Sequence, residues 1–91
     1  MGKLFSKEDK RVYYTMEEII KHNDSDSLWV VSKNKVYDMT IFYKNGKHTG
    51  GQEPLLMRSG GAIDAVDDYN FHSKESKKQW NSYLIGYVKK M

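Results

Sequence analysis

The side chains best able to do chemistry in this 91-residue chain are its three histidines, His22, His48 and His72. The chain has no cysteine, so thiolate catalysis, iron–sulfur clusters, zinc knuckles and disulfide staples are all excluded. A metal bound here must use imidazole, carboxylate or thioether ligands, and neutral imidazole is a good ligand through either ring nitrogen. His48 lies in the loop Lys44-Asn45-Gly46-Lys47-His48-Thr49-Gly50-Gly51, and His72 in Asn70-Phe71-His72, just before Ser73. Both are irregular segments between short helices, with glycine or a small residue beside the ring, so the backbone can turn an imidazole inward. His22 sits at the polar end of a short helix and reads as a solvated helix-end residue. Taken singly, His48 and His72 read as structural or surface histidines, and two of them do not by number make a metal site. A hydrolytic zinc centre using both with a carboxylate such as Asp68 is one arrangement to weigh, but no H-E-x-x-H or similar spacing supports it.

The elements that must position these residues are short. Tyr13-Tyr14 is a strand candidate. Thr15 with Glu18 three residues on forms a capping box, with Tyr14 and Ile19 placed to staple the helix start and Met16, Ile19 and Ile20 as its apolar face. Asn23-Asp24-Ser25-Asp26-Ser27 ends that helix in a turn. Leu28-Trp29-Val30-Val31 reads as a buried strand, Lys33-Asn34 as a tight turn, and Lys35-Val36-Tyr37-Asp38-Met39 as the second arm of a hairpin. Thr40 is placed to cap a helical turn through Ile41, Phe42 and Tyr43. Gln52 to Ser59 reads as a helix with Pro54 in its first turn, where proline is tolerated, ended by Gly60-Gly61. Ala62 to Tyr69 is an acidic helix, Asn70-Phe71-His72 a loop, and Ser73 the start of a helix carrying Trp80, Tyr83 and Leu84 at i, i+3 and i+4. Ile85-Gly86-Tyr87-Val88 is a last strand. Short helices interleaved with short strands give an α+β class.

Length allows one core. Residues 1–12 read as a flexible lead-in, 13–88 as the domain and 89–91 as a tail. Apolar residues make up 38% of the chain and aromatics 13%, enough to line a pocket around a flat apolar group. A domain this small buries only roughly 60–65% of its unfolded surface, so a ligand that completes the core would stabilise it. Fifteen Lys and Arg against twelve acids give a net charge of +3, and Lys3, Lys7, Lys10, Arg11, Lys89 and Lys90 place the surplus at the ends. With no dense basic stripe on one element, nucleic acid is not an expected partner. No apolar run approaches a membrane span and no secretory signal is present.

Several marks occur in order: Tyr14-Thr15-Met16-Glu17-Glu18, Trp29, Lys35-Val36-Tyr37-Asp38-Met39-Thr40, His48-x-Gly50-Gly51, Gly60-Gly61, His72-Ser73 and Ile85-Gly86. From Tyr13 to Val88 this series resembles the cytochrome b5 family. The most specific part is the H-x-G-G element with a second histidine 24 positions later. The resemblance implies a small mixed sheet with two helical pairs forming a pocket for one non-covalent haem b. It implies His48 and His72 as axial ligands, Met39, Phe42, Leu55 and Tyr83 packed on the porphyrin, and Ser73 hydrogen-bonded to a propionate. Two imidazoles fill both axial positions, which disfavours oxygen chemistry and suits single-electron transfer. The implied protein is an electron carrier rather than an enzyme. Its expected partners are a reductase donor and an oxidase or desaturase-type acceptor, and the expected state is a monomer. A module that stores or delivers haem without redox turnover is the alternative.

This chain departs from the family pattern at four places. Thr49 replaces a proline, the loop from Phe42 to His48 is about two residues longer than usual, and Asp67 stands where an aromatic is usual. That last change leaves Val66, Tyr69 or Phe71 to fill one side of the pocket. Around the haem edge, Gln52, Pro54, Met57 and Arg58 occupy a segment where several glutamates are usual, leaving Glu53 alone. Between Lys44 and Lys78 six basic residues face five acidic ones, so the expected haem edge carries little net charge. The start at Met1 favours a free-standing cytoplasmic protein over an excised domain of a flavin or molybdenum enzyme. Met1-Gly2-Lys3-Leu4-Phe5-Ser6 fits the M-G-x-x-x-[ST] acceptor pattern. Myristoylation of Gly2, with Lys3, Lys7, Lys10 and Arg11 as the second signal, would place the domain peripherally on a membrane.

Overall fold

Strand β3 (Ser27–Ser32) is buried on both faces because its four successive apolar residues leave neither of them polar. In the computed structural model, which describes residues 11–45 and 53–89, Leu28 and Val30 are fully buried on one face while Trp29 and Val31 are buried on the other. The split follows from the two-residue period of a strand. Around β3 lie β1 (Tyr13–Tyr14), β2 (Asn23–Asp24), β4 (Lys35–Asp38) and β5 (Leu84–Val88), in the order β1-β5-β4-β3-β2. β1 runs parallel to β5, and the other pairs are antiparallel. Gly2 and His48 both lie outside the described residues, with Thr49, Gly50, Gly51 and Gln52.

Local chemistry sets most of the connections. Lys33 and Asn34 take φ of 51° and 70°, the left-handed pair that a two-residue hairpin needs. Helix α1 (Met16–Ile19) is capped by the Thr15 hydroxyl, which accepts the Glu18 N–H at 3.1 Å. The expected reciprocal half of the capping box is not made among the described residues, because the Glu18 carboxylate turns to His22 instead, at 3.0 Å. Tyr14 and Ile19 do share one apolar cluster.

Three expectations from the sequence need correction. The Asn23–Ser27 turn is a small hairpin: Asp24 Oδ1 accepts the N–H groups of Asp26 at 2.9 Å and Ser27 at 3.1 Å, and β2 pairs with the start of β3. Thr40 is not a cap but the first residue of α2 (Thr40–Lys44). Its hydroxyl donates to Asp38 Oδ1 at 2.6 Å and accepts the Leu28 N–H at 2.9 Å, tying the helix to β3. The acidic helix runs from Val66 to Phe71 rather than from Ala62 to Tyr69, so Asn70 and Phe71 are helical. Ala65 is fully buried and donates to the Val31 carbonyl at 2.8 Å, which holds this part of the chain on the sheet. Asp64 then takes the Val66 N–H at 2.9 Å and starts the helix there.

Helix α3 (Glu53–Arg58) ends at Gly60 and Gly61, whose φ values are 69° and 74°. A Cβ on Gly60 would lie 3.0 Å from Asn23 Cβ and 3.3 Å from Ile20 Cα, so the chain passes close under α1 only as glycine. After α4 (Val66–Phe71), Ser73 caps α5 (Lys74–Asn81) by accepting the Ser76 N–H at 3.3 Å. The sheet faces two clusters. Ile19, Trp29, Val31 and Val36 form the smaller one, and Leu28, Val30, Tyr37, Met39, Leu55, Ala65 and Trp80 the larger. Among the described residues no helix is long and apolar enough to cross a membrane.

Gly86 marks the closest approach of β1 to β5. A Cβ there would sit 2.7 Å from both Tyr14 Cε2 and the Val12 carbonyl oxygen, and the carbonyl has little room to move because Tyr87 N–H donates to it at 2.9 Å. Gly86→Val is therefore expected to push β1 off the sheet edge at a cost of about 1–3 kcal/mol, the usual range for overpacking. Urea unfolding of the two proteins measures it, and a difference under about 0.5 kcal/mol, typical of a neutral surface change, would contradict it.

Candidate cofactor site

His72 is where the structure brings a titratable ring to the larger cluster. It is the residue after α4, with φ −79° and ψ 157°, so the chain turns out of the helix there while its N–H still donates to the Tyr69 carbonyl at 3.2 Å. The ring is half-buried, with its centroid 5.5 Å from that of Trp80. Trp80 is buried and meets Tyr37 and Tyr69 edge-on, at 5.5 Å and 5.6 Å. Neither ring nitrogen of His72 has a hydrogen-bond or ion-pair partner among the described residues. A half-buried imidazole with uncommitted nitrogens has the donor chemistry of a metal ligand.

The apolar residues expected around the cofactor gather on the same cluster. Met39 and Leu55 are buried in it; Phe42 and Tyr83 are half-buried and pack against it, with ring centroids 5.7 Å apart. Ser73 is exposed, with its hydroxyl directed at Ser76. Of the residues expected to compensate for Asp67, Tyr69 packs on the cluster and Val66 is half-buried. Phe71 is 91% exposed and fills nothing among the described residues. Burial, reinforced by Tyr69 and Tyr87, pushes the Tyr37 hydroxyl up to about 12, so it stays neutral beside the pocket.

A family model described as "Cytochrome b5-like Heme/Steroid binding domain" matches residues 15–89. The chain belongs to that family. Over 81 residues it is 44% identical to cytochrome b5 of Rattus norvegicus, covering 86% of this chain and 58% of that one. It is 43% identical over 74 residues to an NADH nitrate reductase of Chlorella vulgaris, covering 80% of this chain and 22% of that protein. The solved cytochrome b5 of Ostreococcus tauri virus 2 superposes with a TM-score of 0.67 at 32% identity, covering 84% of this chain and 95% of that one. The α+β fold read from the sequence is thus a cytochrome b5 fold.

Haem b is the cofactor of the cytochrome b5 family, and the residues of this domain fit it. The His72 imidazole, uncommitted among the described residues, borders an apolar cluster holding Met39 and Leu55, and the flanking Phe42 and Tyr83 rings are suited to a flat macrocycle. A second ring from His48 would complete the donor set that the family resemblance implies.

Two features of this cytochrome b5 domain were not read from the sequence. Arg58 Nε donates to Asp68, joining α3 to α4 across the pocket side, and Arg58 also donates to the Pro54 carbonyl at 3.0 Å. Helical spacing gives no signal for a pair ten positions apart in different helices. Asp68, the example carboxylate for a zinc arrangement, is thus engaged by Arg58, while His48, which that arrangement also needs, lies outside the described residues.

The second feature is His22, which is not the solvated residue expected. Its ring stacks on Trp29 at 3.6 Å and 7°, with Nδ1 2.6 Å from Ser27 Oγ and Nε2 3.0 Å from Glu18 Oε2. The bond from His22 holds the Glu18 carboxyl below the usual carboxylate value. Trp29 belongs to the smaller cluster, so His22 is a structural histidine on the sheet face away from Met39 and Leu55.

Proposed function

We propose that this domain is an electron carrier that holds haem b between His48 and His72. The observation that carries the reading is the half-buried His72 imidazole, uncommitted among the described residues, beside Trp80 at the cluster of Met39 and Leu55. Haem held by these two histidines would supply a reversible one-electron iron couple. The chain's own residues would do the rest: Met39, Phe42, Leu55 and Tyr83 would exclude water, Trp80 would pack beside His72, and Ser73 would offer its hydroxyl to a propionate. The likeness to cytochrome b5, an electron carrier, supports a carrier serving reductase and oxidase or desaturase-type partners over an enzyme.

Absorption spectra of the purified protein, oxidised and then reduced, test the reading. A reversible low-spin six-coordinate pair of spectra is expected. A high-spin spectrum, or haem lost on reduction, would favour haem delivery instead.

Peripheral membrane attachment is a further part of the proposal and rests on the Gly2 acceptor pattern with its neighbouring lysines. Intact mass of protein from its native cells is expected to show a myristoyl group. A free or acetylated Gly2 would rule it out.

A further inference from the structure

Between Lys44 and Lys78 the charges nearly cancel by count, but the fold does not leave them mixed. Arg58 is tied to Asp68, and Lys44 Nζ lies 3.5 Å from Asp26. Of the other four basic residues, Lys47 lies outside the described residues, and Lys74, Lys77 and Lys78 are all on α5, none of them in an ion pair with a described residue. At a spacing of i, i+3 and i+4 they share one helical face. With Tyr69, Glu75 and Asn81 they line an open cleft of about 550 Å³ between α4 and α5. The cleft wall is organised: the Tyr69 hydroxyl donates to Asn81 Oδ1 at 3.0 Å, and Lys77 Nζ stands 5.7 Å from the centre of the Tyr69 ring. Just ahead of α5 in sequence are the exposed Phe71, the last residue of α4, and then His72.

We propose that this cleft docks an acidic segment of a protein partner, with carboxylates among Lys74, Lys77 and Lys78 and an apolar side chain on Phe71. The partner's chemistry follows from the lining. Three ammonium groups call for anions, whereas Glu75 in the same wall opposes a dense polyphosphate. A concave cleft takes side chains better than the flat face of a bilayer. The exposed Phe71, three residues before Lys74, adds an aromatic of the kind enriched at protein interfaces. Because α5 begins two residues after His72, a partner seated here lies against the segment that carries the ligand. The proposal rests on the electron-carrier reading for the partner's redox role, and it reverses the charge sense of an acidic haem edge.

The test uses the haem-loaded, ¹⁵N-labelled full chain at low ionic strength, titrated with a short poly-glutamate peptide. Amide shifts are expected over Tyr69 and residues 74–81. Combined Lys74→Glu, Lys77→Glu and Lys78→Glu should weaken binding by about tenfold or more, an effect that added salt removes. Phe71→Ser should leave that salt dependence in place. Shifts confined to the basic N-terminus, or equal affinity in the charge-reversed variant, would overturn the proposal. So would tighter binding of phosphatidylserine vesicles or a single-stranded oligonucleotide through the same lysines. The absorption spectrum of each sample reads the haem independently. Peptide binding without a low-spin spectrum would sink the electron-carrier reading while supporting the acidic-protein site.

Discussion

Replacing either His48 or His72 by alanine is expected to abolish the six-coordinate spectrum, while His22→Ala leaves it intact. The contrast separates a ligand pair from histidines in general. His72 borders the cluster of Met39, Leu55 and Trp80 with no described partner for its ring nitrogens, whereas both nitrogens of His22 are engaged by Glu18 and Ser27 and its ring lies on Trp29. The expected loss extends to stability. A ligand that binds only the folded chain adds RT ln(1 + [L]/Kd), about 4 kcal/mol at a thousand-fold excess over Kd. For a domain of this size each kcal/mol moves the melting temperature by roughly 4–8 °C. Calorimetry of the loaded protein and of the two ligand variants under the same haem concentration should therefore show a drop well above 10 °C. An unchanged spectrum in both variants would overturn the ligand assignment, and His22→Ala abolishing it would move the site to the other face of the sheet.

How much of this was readable in the chain depended on whether the signal was local. Leu28-Trp29-Val30-Val31 announces a strand buried on both faces because β-branched and aromatic residues occur without interruption. Thr15, Ser73 and the Lys33-Asn34 turn act through hydrogen bonds or backbone angles within a few residues, and each stands where expected. What escaped sequence reasoning was set from a distance. Ala65 is tied to Val31 across the sheet, and that tie, with Asp64, moves the start of α4 away from Ala62. His22 was misread because its partners, Trp29 and Ser27, come from the next strand. The segregation of lysines onto the α5 cleft was hidden by a charge count that could not see Arg58 meet Asp68. Of the candidate site, Met39, Leu55, Phe42 and Tyr83 were named from family resemblance, and the fold gathers them on one cluster. Phe71 was offered as a filler and instead stands in solvent, since a residue at the last position of a short helix can point either way.

Trp80→Ala is expected to be the most damaging single change to the core, because one side chain joins the helical layer to the sheet and to His72. Trp80 is buried, meets Tyr37 of β4 at 5.5 Å and Tyr69 of α4 at 5.6 Å, and lies 5.5 Å from His72. Truncating a buried Trp costs about 3–5 kcal/mol in transfer and cavity terms, and each edge-on aromatic pair adds about 0.5–1.5 kcal/mol beyond burial. A small domain has total stability of order 5–15 kcal/mol, so without cofactor the variant should be close to its unfolding midpoint at room temperature. Haem should partly rescue it by mass action, but less tightly, because the ring packed beside His72 is gone. Trp80→Phe keeps an aromatic face toward both tyrosines and should retain most of the stability and haem affinity. Urea unfolding of the apo forms, with haem transfer to an acceptor globin timed for the loaded forms, checks both halves. An apo Trp80→Ala protein within about 1 kcal/mol of its parent, the average cost of an ordinary point mutation, would show that this packing does not hold the site together.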